Sequence, residues 1–88
     1  MATFEEKQFE GESVVIDGNE YRACQFRKCR MIYKGGEFPK LIECNCSECA
    51  WGFDDAAART ITFMRAMYHS GSGGKELVEG TFNSIRAG

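Results

Sequence analysis

Two stretches decide the fold: Ala23-Cys24-Gln25-Phe26-Arg27-Lys28-Cys29-Arg30-Met31 and Glu43-Cys44-Asn45-Cys46-Ser47-Glu48-Cys49-Ala50-Trp51. Cys24 and Cys29 stand five residues apart, as do Cys44 and Cys49, and the second pair follows the first by twenty residues. Two positions after each of these cysteines comes a second side chain fit for burial: Phe26, Met31, Cys46 and Trp51. Residues two apart on a strand share a face, so the ladder predicts short strands with a repeating interior. It is a statement about architecture rather than chemistry.

The ladder resembles the pentapeptide-repeat proteins. In that family a small residue precedes a central Leu or Phe by two positions, both point into a square right-handed β-helix, and four steps make one coil. The resemblance implies that Cys24 stacks on Cys44, Cys29 on Cys49, Phe26 on Cys46 and Met31 on Trp51. It covers residues 22–53 and lapses in the middle, where Lys34, Gly36 and Pro39 stand at positions the pattern reserves for buried side chains and only Leu41 fits. The implied structure is a single incomplete coil, or two short strand pairs joined by a loop. The long acidic solenoids of the DNA-mimicking members have no counterpart in this short chain, so their function is not carried over.

Outward from the ladder, the chain divides by composition. Residues 1–12 hold Glu5, Glu6, Glu10 and Glu12 against Lys7, with Phe4 and Phe9 between them, and read as an acidic arm or an edge strand. Ser13-Val14-Val15-Ile16 is β-rich, and the Asp17-Gly18 that follows is a hairpin signal because glycine accepts positive φ. Short strands are expected over Glu20–Phe26, Cys29–Tyr33, Leu41–Cys46 and Cys49–Phe53, broken by Lys34-Gly35-Gly36. Asp54-Asp55 before Ala56-Ala57-Ala58 is a helix start. The spacing of Ala57, Ile61, Met64 and Tyr68 predicts an amphipathic helix to Tyr68. Ser70-Gly71-Ser72-Gly73-Gly74 interrupts it, and a second helix with a Val78, Phe82, Ile85 stripe is expected from Lys75 to Arg86. The reading is one α+β domain over 1–88: acidic arm 1–12, β part 13–53 as a small coil or twisted meander, and two-helix part 54–88.

Eighty-eight residues leave a small stability margin, and a net charge of −2 gives no field for nucleic-acid binding. The first residues carry no apolar run, so neither a signal peptide nor a membrane span is expected, and a cytoplasmic location is the default. In a reducing compartment, five cysteines read as thiols or metal ligands rather than disulfides.

Three groupings could carry chemistry. Cys44, Cys46 and Cys49, with Cys24 and Cys29 upstream and His69 downstream, offer soft ligands for zinc, although a single Cys-x-x-Cys unit is present. The reading preferred over zinc is that the same cysteines are small buried hydrophobes. His69-Ser70-Gly71-Ser72-Gly73-Gly74-Lys75 opens a helix with glycines and a lysine, the elements of an anion cradle. The alternative is a helix end followed by a turn. Arg22, Arg27, Lys28, Arg30 and Lys34 form a basic run, with Arg59 and Arg65 on the first helix. This is either a solvated face neutralised by the acidic arm, or a site where Arg holds phosphate and an aromatic ring stacks on a base. No Ser-His-Asp pattern or nucleophile elbow is present, so no catalytic residue is assigned.

The expected function is a small non-enzymatic binding protein, most simply a dimer, since a short coil leaves open ends that a second copy could cover. It would sequester a small anionic, nucleotide-like ligand through Arg59, Arg65, His69, Ser70, Ser72, Gly73, Gly74 and Lys75. In size and compact oligomeric format such a chain is similar to phage and bacterial proteins that soak up cyclic-nucleotide immune signals. The alternatives are a zinc-stabilised interaction domain built on Cys24, Cys44, Cys46 and Cys49, and a partner-binding regulatory protein with no small ligand and no cofactor.

Overall fold

The structure, a computed structural model, describes residues 2–88. Nine short strands precede two helices, an α+β chain. The strands are β1 Thr3–Glu5, β2 Gln8–Glu10, β3 Ser13–Val15, β4 Glu20–Arg22, β5 Gln25–Arg27, β6 Arg30–Tyr33, β7 Lys40–Ile42, β8 Asn45–Ser47 and β9 Ala50–Phe53. The helices are α1 Asp55–Tyr68 and α2 Gly74–Ala87. The chain forms two compact units, Met1–Ala58 and Arg59–Gly88.

In the first unit every strand pairing is parallel, in three sheets ordered β1-β4-β7, β2-β5-β8 and β3-β6-β9. Consecutive strands therefore lie in different sheets, and each sheet takes one strand from each of three successive turns. This is a coil and not a meander, whose neighbours would be antiparallel. Phe26 pairs with Cys46 and Met31 with Trp51, the register that the ladder implied. Of the two readings of the acidic stretch, arm or edge strand, it is strands β1 and β2 that occupy it. Residues 3–15 are the first turn of the coil, with Phe4, Phe9 and Val14 stacked on Tyr21, Phe26 and Met31. Asp17-Gly18 does turn the chain, but it leads into the next turn of the coil rather than into a hairpin.

Five-residue steps need sharp corners. Each corner places a residue at positive φ: Glu6 (53°), Ala23 (52°) and Glu43 (53°) on one edge, Gly11 (64°), Lys28 (55°) and Glu48 (54°) on the next. Left-handed backbone costs a non-glycine residue on the order of 1 kcal/mol. The stacking offsets it, because each corner amide meets the next turn: Glu6 N–H donates to the Arg22 carbonyl at 2.9 Å, Ala23 to Ile42 at 2.9 Å and Lys28 to Ser47 at 2.9 Å.

The interior is the middle turn. Ile16, Tyr21, Cys24, Phe26, Cys29 and Met31 are buried, with Phe4, Phe9, Val14, Leu41, Cys44 and Cys49 packed around them. Phe4 stacks on Tyr21 with centroids 5.1 Å apart, and Phe9 on Phe26 at 4.9 Å. Burial stabilises by about 1.5–3 kcal/mol for each such large side chain, which makes this column the main source of the unit's stability. On the fourth side the connections stack as well. The Asp17 carboxylate accepts the Lys34 N–H at 2.8 Å and the Gly36 N–H at 2.6 Å.

The second unit is a helical hairpin. Gly74 is buried, and a Cβ there would lie 1.9 Å from the Met67 carbonyl oxygen. Val78 is the other buried residue of α2, and α1 buries none. The helices thus meet at the turn and leave a cleft between their apolar stripes.

Candidate functional site

The cleft has a volume of about 710 Å³ and lies within the helical unit. Ile61, Met64, Arg65 and Tyr68 line it from α1, and His69 from the turn just beyond. Helical spacing puts the α1 residues on one face, and that face carries both the apolar stripe and Arg65. From α2 come Val78, Glu79, Phe82, Asn83 and Arg86. The lining mixes apolar and aromatic side chains with polar ones, and its charged groups are Arg65, Arg86 and one acid, Glu79. The Arg86 guanidinium is 3.2 Å from Asn83 Oδ1 and 5.9 Å from the Phe82 ring centroid. The Lys75 ammonium sits 5.7 Å from the Tyr68 ring centroid, which brings a further cation to the rim. Apolar walls with a few convergent polar groups are the usual composition of a small-molecule site.

This arrangement sorts the residues that the sequence singled out. Arg65 and His69 line the cleft and Lys75 reaches a ring that lines it. Arg59 is exposed on α1 and is not among the lining residues. Ser70 is occupied: its hydroxyl donates to the Met67 carbonyl at 2.8 Å and helps to end α1. Gly73 is the left-handed N-cap of α2, with φ 79°. Gly74 is the point of helix contact. Ser72 is exposed in the turn. Gly73 and Gly74 therefore serve the turn and the packing. The residues missed by sequence reasoning are Tyr68, Phe82, Asn83 and Arg86. Tyr68 and Phe82 belonged to the expected stripes, and helical spacing from Phe82 to Arg86 was the signal available.

Four of the five cysteines, Cys24, Cys29, Cys44 and Cys49, belong to the interior. All five are thiols: Cys24 and Cys29 buried, Cys44 and Cys49 half-buried, Cys46 exposed. Cys24 Sγ lies 3.5 Å from the carbonyls of Phe4 and Arg22, Cys44 Sγ 3.3 Å from that of Tyr21, and Cys49 Sγ 3.4 Å from that of Phe26. These contacts direct the corner thiols at the backbone of the coil. Among the described residues no three His, Cys, Asp or Glu side chains are grouped to hold a metal ion, so Cys24, Cys44, Cys46 and Cys49 do not form a preassembled site. Partial desolvation of its sulfur pushes the Cys46 thiol up from its ordinary value, aided by the sulfurs of Cys49, Cys44 and Cys29. That favours the protonated form over the thiolate a metal or an electrophile needs.

Three members of the basic run have acidic partners. Arg22 pairs with Glu20, Arg27 lies 3.8 Å from Glu10 and Lys34 3.9 Å from Asp55. Glu10 of the first turn thus answers Arg27 of the second, while Glu20 pairs with Arg22 within β4 and Asp55 of α1 approaches Lys34.

Compared with protein-family models, curated proteins and solved structures, the chain matches none. Among the described residues no helix is long and apolar enough to cross a membrane.

Proposed function

We propose that this chain is a small non-enzymatic, cytoplasmic binding protein. It works as a homo-oligomer and takes an anionic, nucleotide-like ligand in the cleft between α1 and α2. The observation that carries the reading is the joint lining of that cleft. Arg65 and Arg86 supply planar guanidinium forks suited to phosphate, and Tyr68 and Phe82 supply rings on which a base can stack. Asn83 adds an amide for a base edge. The coil serves as scaffold, and its five-residue ladder supports kinship in architecture with the pentapeptide-repeat proteins.

A thermal-shift titration with nucleoside mono-, di- and triphosphates and cyclic nucleotides tests this. A ligand at a hundredfold excess over its Kd adds about 2.7 kcal/mol, a rise of several degrees or more in a chain of this size. Arg65→Ala combined with Arg86→Ala removes that rise while both units stay folded by circular dichroism. A melting point that no member of the panel moves, or a shift that survives the double substitution, contradicts the proposal.

A further inference from the structure

The two ends of the coil are built differently. The first turn carries Glu5 and Glu10 on its strands and Glu6 and Glu12 at its corners, and charge along an edge opposes the addition of another strand. The last turn carries Lys40 on its strands and Glu43 and Glu48 at its corners, and its other outward strand positions hold the uncharged Ile42, Asn45, Ser47, Ala50 and Gly52. Its interior layer ends in the open: Leu41 is half-buried, Cys46 exposed and Trp51 59% exposed. The backbone shows which groups face that edge. Lys40, Asn45 and Ala50 donate to the carbonyls of Asn19, Cys24 and Cys29, while the Ile42 and Ser47 carbonyls accept from Ala23 and Lys28. Alternate residues of a strand face opposite edges, so the N–H and C=O groups of Leu41, Cys46 and Trp51 point away from the coil.

We infer that the last turn is the docking surface for a second copy of this chain, the two ends meeting about a two-fold axis through β8. The turn has three stranded sides and a fourth where the chain leaves for α1. The axis through β8 maps all three strands onto strands, whereas one through β7 and β9 sets β8 against the strandless side. About the β8 axis Cys46 falls opposite Cys46 of the second copy, and Leu41 opposite Trp51 of the second copy. Each of these residues offers its N–H and C=O at the open edge, so the antiparallel register joins them as hydrogen-bonded pairs. The layer is self-complementary in size, since the bulk of each Trp51 meets a Leu41 and the small cysteines meet at the axis. Charge agrees as well: Lys40 lies diagonal to Asp54 of the second copy, within reach of a long side chain. Glu43 approaches Glu48 of the second copy, a like-charge contact that can be reversed experimentally.

This inference rests on the oligomeric half of the proposed function and is independent of the ligand. Sedimentation of the full chain at micromolar concentration is expected to show a dimer. Trp51→Glu raises the dimer Kd by roughly thirtyfold or more, the loss of a central aromatic anchor. Glu48→Lys lowers it by placing a cation against Glu43. Circular dichroism checks that the Trp51 variant folds. Diamide oxidation decides independently of that variant. Opposed Cα atoms about 5.5 Å apart lie within the Cα range of a disulfide, so at alkaline pH, where the thiolate forms, the dimer cross-links through Cys46, and Cys46→Ser abolishes the cross-link but not the dimer. A monomeric wild type overturns both the interface and the oligomeric reading. A dimer unmoved by Trp51→Glu and Glu48→Lys, with no cross-link at Cys46, overturns the interface alone.

Discussion

At the scale of single residues, Asp17 shows how this coil manages a side without strands. Burial works against its ionisation. The backbone N–H groups of Lys34 and Gly36, its own N–H and the Lys34 charge outweigh that and hold the carboxyl below its ordinary value. A depressed carboxyl adds stability above its unfolded pKa, near 3.9, and loses that contribution as pH falls through the lower folded value. Asp17→Asn should therefore lower the melting temperature at pH 7, by an amount equivalent to about 1 kcal/mol. Its gap to the wild type should close as pH falls below the unfolded value of about 3.9 and the wild-type carboxyl protonates. Equal melting temperatures at pH 7 would show that the turn does not depend on this carboxylate. Asp17 was legible in the sequence as part of a turn. Its bonds to Lys34 and Gly36 were not, because they span the coil and depend on how far the chain runs between turns.

At the scale of elements, strands β4–β6 and β8–β9 could be read from the cysteine ladder because small residues mark the corners Cys24, Cys29, Cys44 and Cys49. The first turn uses the same five-residue step at Phe4, Phe9 and Val14, but Lys7 and Glu12 stand where the small residues should be. A phase change hid it further. Phe4 to Tyr21 is a step of 17 residues and Tyr21 to Leu41 a step of 20, the difference being absorbed by the shorter connection after β3. Both helices were legible from their stripes, the first also from its Asp54-Asp55 start and the second from the glycine-rich break before it. Their separation was not, since it is set by Gly74 against the Met67 carbonyl. Gly74→Ala cannot be accommodated without opening the turn and should destabilise the chain by roughly 1–3 kcal/mol. Gly80, with open space around its Cα, serves as control: Gly80→Ala should stabilise by up to about 1 kcal/mol. If the two alanine variants melt alike, the helix contact is not where the structure puts it.

At the scale of the whole molecule, the two units divide the work. The coil concentrates its buried side chains in one central column and leaves its last turn open, while the helical hairpin buries little and leaves a cleft lined by Arg65, Arg86, Tyr68 and Phe82. The sequence pointed to Arg65, His69 and Lys75 because a glycine-rich break next to cations is a visible pattern. Arg86 and Phe82 join them because two stripes far apart in sequence come to face each other. Native mass spectrometry of the full chain, alone and with a panel of nucleotides, tests the central claim most directly. The account predicts a dimer that gains one nucleotide-sized adduct per subunit and loses it on replacement of Arg65 and Arg86 by Ala. A bare monomer that takes up no member of the panel would contradict it.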